Sequence, residues 1–477
     1  MVTSKSVISF FISTPNLFFK QQQFLKKKTF FSNIGFRNRK YEIHCKNSME
    51  EKNYQKGWLE SILSARNPPD TKYLEKWKKV GVNLIKAQPF PSRKDESWKL
   101  TSLDKIFEMR FSKEEQKLDS EIIKKSLEDY SGPKVVFVNG TYCEKLSDIS
   151  SLNKNVFIGE LEKYENEETK NVLEFLTKGE SGINGGFFAT LNIACLSNIY
   201  IVSILPNLIL ETPINIIHIG SNGTQASSFN HRLIIISGQK SKSKIVEHHI
   251  GLGNSVYFDN TAVSVLTKEE SVLDFFLINE SSKRSTFINS IHADLKEGSR
   301  LNFSTISFGG LFTRVNLGID INGTNCQCNV KGASIATDKQ VSDFHSRISH
   351  NLPSSKSSQL QKILLTDKAH GVFAGKIQVQ HGAGDTNSDQ LCKTLLLSSS
   401  SRIDALPILE INNENVKCTH GSTVSDLDES QMFYLQSRGI PRNEAKKLLT
   451  VGFVNEMIQD YPDKIKSKII KQLSFLI

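Results

Sequence analysis

The sequence predicts a mainly β protein, a parallel β-helix core flanked by α-helical regions at its N- and C-terminal ends, and three observations predict it. Short β-rich runs closed by Gly, Asn, Ser or Pro recur from about residue 133: PKVVFVNG, NIYIVSIL, INIIHIG and RLIIISG. Within this stretch Glu270-Ser-Val-Leu273-Asp-Phe275, Gly298-Ser-Arg-Leu301-Asn-Phe303 and Gly323-Thr-Asn-Cys326-Gln-Cys328 align as a repeat, spaced by 28 and then 25 residues. Period-two alternation inside a repeat of this size suits a coil that turns alternate side chains towards a continuous interior. Helical periodicity, by contrast, is confined to the two ends. A β-sandwich of irregular hairpins would satisfy the alternation as well.

Four regions follow, at residues 1–46, 50–130, 133–424 and 425–477. The first carries nine Lys or Arg and one acid, Glu42, so it holds +8 of the chain's net +10 and leaves the remaining residues nearly neutral. It is rich in Ser, Thr, Asn and Phe and lacks the apolar stretch of a secretory signal, the composition of an organellar transit peptide removed near Ile43-His44-Cys45. Charge gathered in a leader, not in the body, argues against a nucleic-acid partner.

Residues 50–130 read as helices, since LESILSA and YLEKWKKVGVNLIKA place apolar residues three and four apart, and all three tryptophans (Trp58, Trp77, Trp98) lie here. The core, 133–424, is the β-helix. In its repeat Cys326 and Cys328 take the places of Leu301 and Phe303, which makes them interior filler, not metal ligands. The final region reads as three helices. The first starts from a capping box, Asp426-x-x-Glu429 or Ser425-x-x-Asp428, and ends at Gly439; the others open at Pro441 and Pro462. Ala445, Leu448, Leu449, Phe453 and Met457 form one apolar stripe, and Ile465, Ile469, Leu473 and Leu476 another. Such stripes pack on the parent domain or dock a partner, and spacing leaves both open.

No apolar run approaches the roughly 20 residues of a membrane helix. His370-Gly371-Val-Phe-Ala-Gly375-Lys376-Ile377 resembles a phosphate loop but is one residue short between its glycines and has Ile377 where the magnesium-binding hydroxyl belongs, so no nucleotide is expected on this chain. Adjacent His248 and His249 should face opposite sides of a strand, one exposed and one packed. His345 and His350 flank an expected turn. Cys418 and His420 differ: on a strand over 416–420 they share a face with Val416. They are either a core cysteine beside a bonded histidine or two of the four donors a stable metal site needs, the rest coming from elsewhere in the fold or from another chain.

The segment Lys417-Cys418-Thr-His420-Gly421-Ser-Thr-Val-Ser-Asp-Leu-Asp-Glu-Ser-Gln431-Met-Phe433-Tyr434-Leu-Gln-Ser-Arg438-Gly439-Ile440 resembles the signature of the SufB/SufD family, the scaffold subunits of the SUF iron–sulfur cluster assembly system, on its SufD side. Pro91-Ser-Arg93-Lys94-Asp95-Glu96-Ser-Trp98 is similar to the family's N-terminal motif, and Gly371-Val-Phe373-Ala-Gly375-Lys376-Ile377 with Gln390 and Leu395-Leu-Leu adds a third match. The stretch Ser398–Leu409 lacks the cysteine of SufB, and Thr419-His420-Gly421 replaces its His-Glu segment.

The resemblance implies a right-handed parallel β-helix and a non-catalytic scaffold. It implies a heterodimer with a SufB-like paralogue, a SufC-like ATPase that does the hydrolysis, a cysteine desulfurase supplying sulfur, and a role in iron acquisition. Carried onto this chain, His420 and Cys418 handle iron or sulfide at the SufB interface, the two tentative metal ligands, and Phe433, Tyr434, Arg438, Leu448, Leu449 and Phe453 dock the ATPase. The cargo is an iron–sulfur cluster held transiently and shared with SufB, with room for a flavin at the level of the complex. No membrane or nucleic-acid partner is implied. The leader then addresses the plastid (chloroplast) stroma, with the mitochondrion as alternative. Two other classes compete, a β-helix carbohydrate-active enzyme such as a polysaccharide lyase and a purely structural repeat protein.

Overall fold

A computed structural model describes residues 48–476 apart from 66–71, 112–119, 165–173, 175, 183–184 and 222–225. The expected leader, residues 1–46, lies outside the described residues. From Tyr200 onward the chain winds alternately through two parallel sheets, the first ending in strand Val416–Ser425 and the second in strand Arg402–Ile411. These sheets are the walls of a solenoid of about eight turns. One coil takes between 26 residues, from Thr286 to Phe312, and 33, from Tyr200 to Leu233.

Each wall is lined on the inside by alternate residues. Leu273, Phe275 and Leu277 stack over Leu301 and Phe303 in the lumen, where Phe275 and Phe303 meet edge-on with ring centroids 5.6 Å apart. The intervening residues, Phe276 and Ile278, face outward yet are also buried, because helices cover both walls. The C-terminal helices lie on the first sheet through Met457, Ile458, Tyr461, Ile465, Ile469 and Leu473. On the second sheet sits the N-terminal region, with Trp58, Ile62, Trp98 and Phe107 against Phe258, Ile288 and Phe312. Strands covered on both faces read as near-continuous apolar runs, which is why stretches such as INIIHIG rather than clean alternation mark this core.

The corners explain the period. Lys240, Glu270, Gly298, Asn325, Ser354 and Asp385 all take positive φ, each two residues before a strand of the first sheet or nearly so, and the turns hydrogen-bond coil to coil. That corner corrects the expected repeat. The residue equivalent to Glu270 and Gly298 is Asn325, not Gly323, since Asn tolerates the left-handed region. The register therefore shifts by two: Cys328 stacks on Leu301, Val330 on Phe303, and Cys326 sits in the turn beside Ser299. Both cysteines are buried in the interior, as filler.

Three further expectations are corrected. Helix Phe187–Ala194 interrupts the β region; all eight of its residues are buried, so it shows no amphipathic period to read. His248 and His249 do face opposite sides, but both are buried, because Tyr130 and helix Asp463–Leu476 roof the outward one: Tyr130 Oη bonds His248 Nδ1, and Lys468 reaches Glu280 at 3.2 Å beside it. His345 and His350 lie in one strand, Val341–His350, where His345 pairs with Asp343 and His350 with Ser357. No helix among the described residues is long and apolar enough to cross a membrane.

Candidate functional site

The solenoid has an open end. Arg402–Ile411 and Val416–Ser425 are the edge strands of their sheets, each about ten residues long with one side of its backbone unpaired by any further coil. Pro407, which has no N–H to offer a ladder, fits such an edge. The burial pattern changes abruptly here. In the preceding coil Ser388, Gln390, Cys392 and Thr394 are buried in the lumen, and stacked directly on them Cys418 is half-buried while His420, Ser422 and Val424 are exposed.

Cys418 and His420 are thus lumen residues of a last coil with no further coil over it among the described residues. They share a face two positions apart, as the strand reading requires, roughly 6.6 Å between Cα atoms. Cys418 packs with Leu409 and Val416 against Ile377, Val379 and Ala383. Burial pushes its thiol up, partly offset by the backbone N–H of Ser388, so it presents a protonated thiol until a metal displaces the proton. Among the described residues no third His, Cys, Asp or Glu joins this pair into a cluster. As donors the two are chemically apt for iron, soft sulfur beside imidazole, but they are half of a site.

The lumen also changes character along the rows that end at these two residues. One row runs Leu301, Cys328, Ser357, Ser388, Cys418; its neighbour runs Phe303, Val330, Gln359, Gln390, His420. Apolar filling gives way to hydroxyls and amides over the last coils. Gln390 Nε2 donates to Gln359 Oε1 at 2.8 Å, Gln359 in turn bonds Ser346, and Ser357 bonds Ser388 at 2.6 Å. Gln390 Oε1 is buried without a partner directly beneath His420. Gly375 makes room for this ladder, since a Cβ there would lie 2.3 Å from Gln390 Nε2. Gln359 escapes a sequence reading because its partner stands 31 residues away in the chain. The phosphate-loop look-alike containing Gly375 is itself an extended strand, His370–Val379, not a loop.

Immediately after the last strand, helix Glu429–Ser437 is capped by Asp428, whose carboxylate accepts from the N–H groups of Ser430 and Gln431. The cap is therefore Asp428 alone and neither expected box, because the chain stays extended through Ser425 and turns only at Asp428. Gly439, at φ 84°, ends the turn before Pro441 opens helix Arg442–Asn455. The expected docking residues divide. Phe433 is 73% exposed, Tyr434 57% and Leu448 54%, with the Arg438 guanidinium 5.3 Å above the Tyr434 ring. Leu449 and Phe453 are half-buried, and Phe453 packs on the solenoid with Lys362 over its ring. The stripe through residues 445–457 is thus split, Leu448 outward and Ala445 and Met457 inward, with Thr450 and Val454 supplying buried positions that polarity and spacing had hidden.

Fold and end face together define a β-solenoid with roofed walls and an open terminal coil. Comparison with known families places it: residues 50–216 match the SufBD protein N-terminal region, and residues 218–453 match the SufBD core domain of SUF system FeS cluster assembly. The chain belongs to the SufB/SufD family. It is 27% identical to an iron–sulfur cluster assembly SufBD family protein of Synechocystis over 80% of this chain and 86% of that one. It is 26% identical to the chloroplastic protein ABCI7 of Arabidopsis thaliana over 85% of this chain and 86% of that one. With the iron–sulfur cluster assembly protein SufD of Escherichia coli it shares 23% identity over 87% of this chain and 94% of that one.

Proposed function

We propose that this chain is the SufD-type scaffold of a SUF complex. In this reading its open terminal coil meets the matching end of a SufB-type paralogue, and its exposed C-terminal helices hold a SufC-type ATPase that performs the hydrolysis. One observation carries the reading: two long, unpaired, adjacent edge strands surround an exposed imidazole and a half-buried thiol that between them make only half a metal site. A long bare edge is an aggregation hazard unless a partner covers it. A sister subunit ending the same way covers both edges and supplies the missing donors.

The cluster is cargo, built from iron and desulfurase-derived sulfide and released. A site shared by two chains opens or tightens as an attached ATPase moves them, provided nucleotide binding favours one arrangement. The role in iron acquisition rests with His420, and a flavin belongs to the assembled complex. The basic, Phe-rich residues 1–46 act as a transit peptide to the plastid stroma, in keeping with the chloroplastic Arabidopsis relative, the mitochondrion being the alternative. The test is to co-purify the chain, without residues 1–46, with SufB- and SufC-type subunits, reconstitute with iron and sulfide, and compare His420→Ala. Cluster yield should fall while the complex still forms; undiminished yield removes His420 from the mechanism.

A further inference from the structure

Near the opposite end of the solenoid the lumen holds a second group of donors. His218 lies in strand Ile214–Gly220, in register with His249 of the next coil, and Glu247 shares the inward face of His249's strand two positions earlier. The three are 4%, 1% and 0% exposed. One potential ligand atom from each lies within 4.8 Å of the other two. His249 Nε2 is 3.0 Å and His218 Nε2 3.5 Å from Glu247 Oε1.

The surroundings are arranged as a ligand shell requires. His249 Nδ1 is engaged at 2.7 Å by Asp259 Oδ2, and Asp259 is held in turn by Thr261 at 2.9 Å. A carboxylate on one ring nitrogen orients the imidazole and aims Nε2 at Glu247 Oε1, the usual support behind a metal-bound histidine. Aromatics enclose the rings: Phe137 stacks on His218 at 5.0 Å, the two imidazoles stack 4.4 Å apart, and Phe287 meets His249 edge-on at 4.8 Å. Inside this buried enclosure His218 Nε2 has only its 3.5 Å approach to Glu247 Oε1, while among the described residues His218 Nδ1 and Glu247 Oε2 have no hydrogen-bond partner. Unpartnered polar atoms aimed into one buried space are rare in native interiors and call for an explanation.

The geometry points to a buried divalent transition-metal site formed by His218, His249 and Glu247, with Asp259 as its supporting carboxylate. Two imidazoles and one carboxylate select Fe2+ or Zn2+ over Mg2+ or Ca2+, which prefer all-oxygen shells. The site is buried, so its ion is structural and ties the first coils together, with a water as the fourth donor beside the three side chains. It stands six coils from His420, about 29 Å along the axis at 4.8 Å per coil, and is independent of cluster assembly at the open end.

The ion must enter as the chain folds, so the full chain carrying Cys418→Ser and His420→Ala, which leaves His218, Glu247 and His249 untouched, is unfolded with chelator and refolded with Co2+ as the spectroscopic probe. After desalting, about one Co2+ per chain should remain, with nitrogen and oxygen ligands and an imidazole signature in X-ray absorption. Glu247→Gln, which is isosteric, and His218→Phe, which keeps the lumen filled, should each lower retention at least about tenfold and abolish the rise in Tm that Co2+ gives. Retention below about a tenth of an equivalent by the folded double variant overturns the proposal. So does sulfur in the coordination shell, or retention unchanged by either lumen substitution. Should both lumen variants fail to fold, the stoichiometry and ligand set of the double variant decide.

Discussion

Phe433→Ala separates docking from folding. Phe433 is 73% exposed on the first C-terminal helix, next to Tyr434 at 57%. An aromatic side chain of about 200 Å2 leaves about 150 Å2 of this ring for a partner to cover, worth about 3.8 kcal/mol at about 25 cal/mol per Å2. Alanine keeps part of that contact and association has its own entropic cost, so a loss of about 2–3 kcal/mol is expected, a Kd roughly 30- to 150-fold weaker. Stability should move by less than about 0.5 kcal/mol, as the ring packs on little of its own chain. Calorimetric titration with the SufC-type ATPase, alongside a urea melt, checks both numbers. Met432, one residue earlier but 2% exposed, supplies the contrast: its alanine variant should lower stability by about 2–5 kcal/mol. A Kd within about twofold of wild type for Phe433→Ala, or a marked fall in its melting midpoint, would refute the assignment of this face.

Other outcomes follow from the same architecture. Phe275→Ala empties a fully buried lumen position and breaks its edge-on pair with Phe303, so a urea melt should show a loss of about 3–5 kcal/mol with an unchanged slope. Asp428→Ala removes the acceptor for two helix N–H groups and should cost about 1 kcal/mol locally, seen as faster amide exchange over residues 429–437. Glu180 is pushed up by burial, but hydrogen bonds from His292 and Arg347 outweigh this and hold it at about 2. A depressed carboxylate stabilises the fold above its unfolded pKa of about 4.5 and loses that contribution as pH falls towards 2. At most about 3 kcal/mol should therefore disappear across that window, and the acid-induced loss measured by pH-dependent denaturation should shrink by a similar amount in Glu180→Gln.

Much of this molecule was legible in its residues, and the exceptions have physical causes. Short β-rich runs and a repeat of 25 to 28 residues announced the coils, and the strand at Cys418 and His420 put both on one face as expected. The register slip at Cys326 came from favouring glycine at a corner where Asn325 adopts positive φ. The burial of His248 depends on Lys468 and its helix, more than two hundred residues away, so nothing local could foretell it. The split of the 445–457 stripe likewise reflects how one helix sits on one wall, with Leu448 turned outward despite its spacing. What made Cys418 and His420 a site was their position on the final coil, and a strand pattern does not reveal that no further coil covers it. The Gln359–Gln390 ladder beneath His420 is assembled from coils 31 residues apart and has no short-range signature.

Amide hydrogen exchange tests the central claim, that the open coil is the assembly face. Exchange over residues 402–425 is measured with and without a SufB-type paralogue, against the interior strands 272–307 as an internal reference. The account predicts that the two edge strands slow by at least about tenfold on adding the paralogue while the reference strands do not change. Protection that appears elsewhere on the chain, with 402–425 exchanging as fast as before, would contradict it.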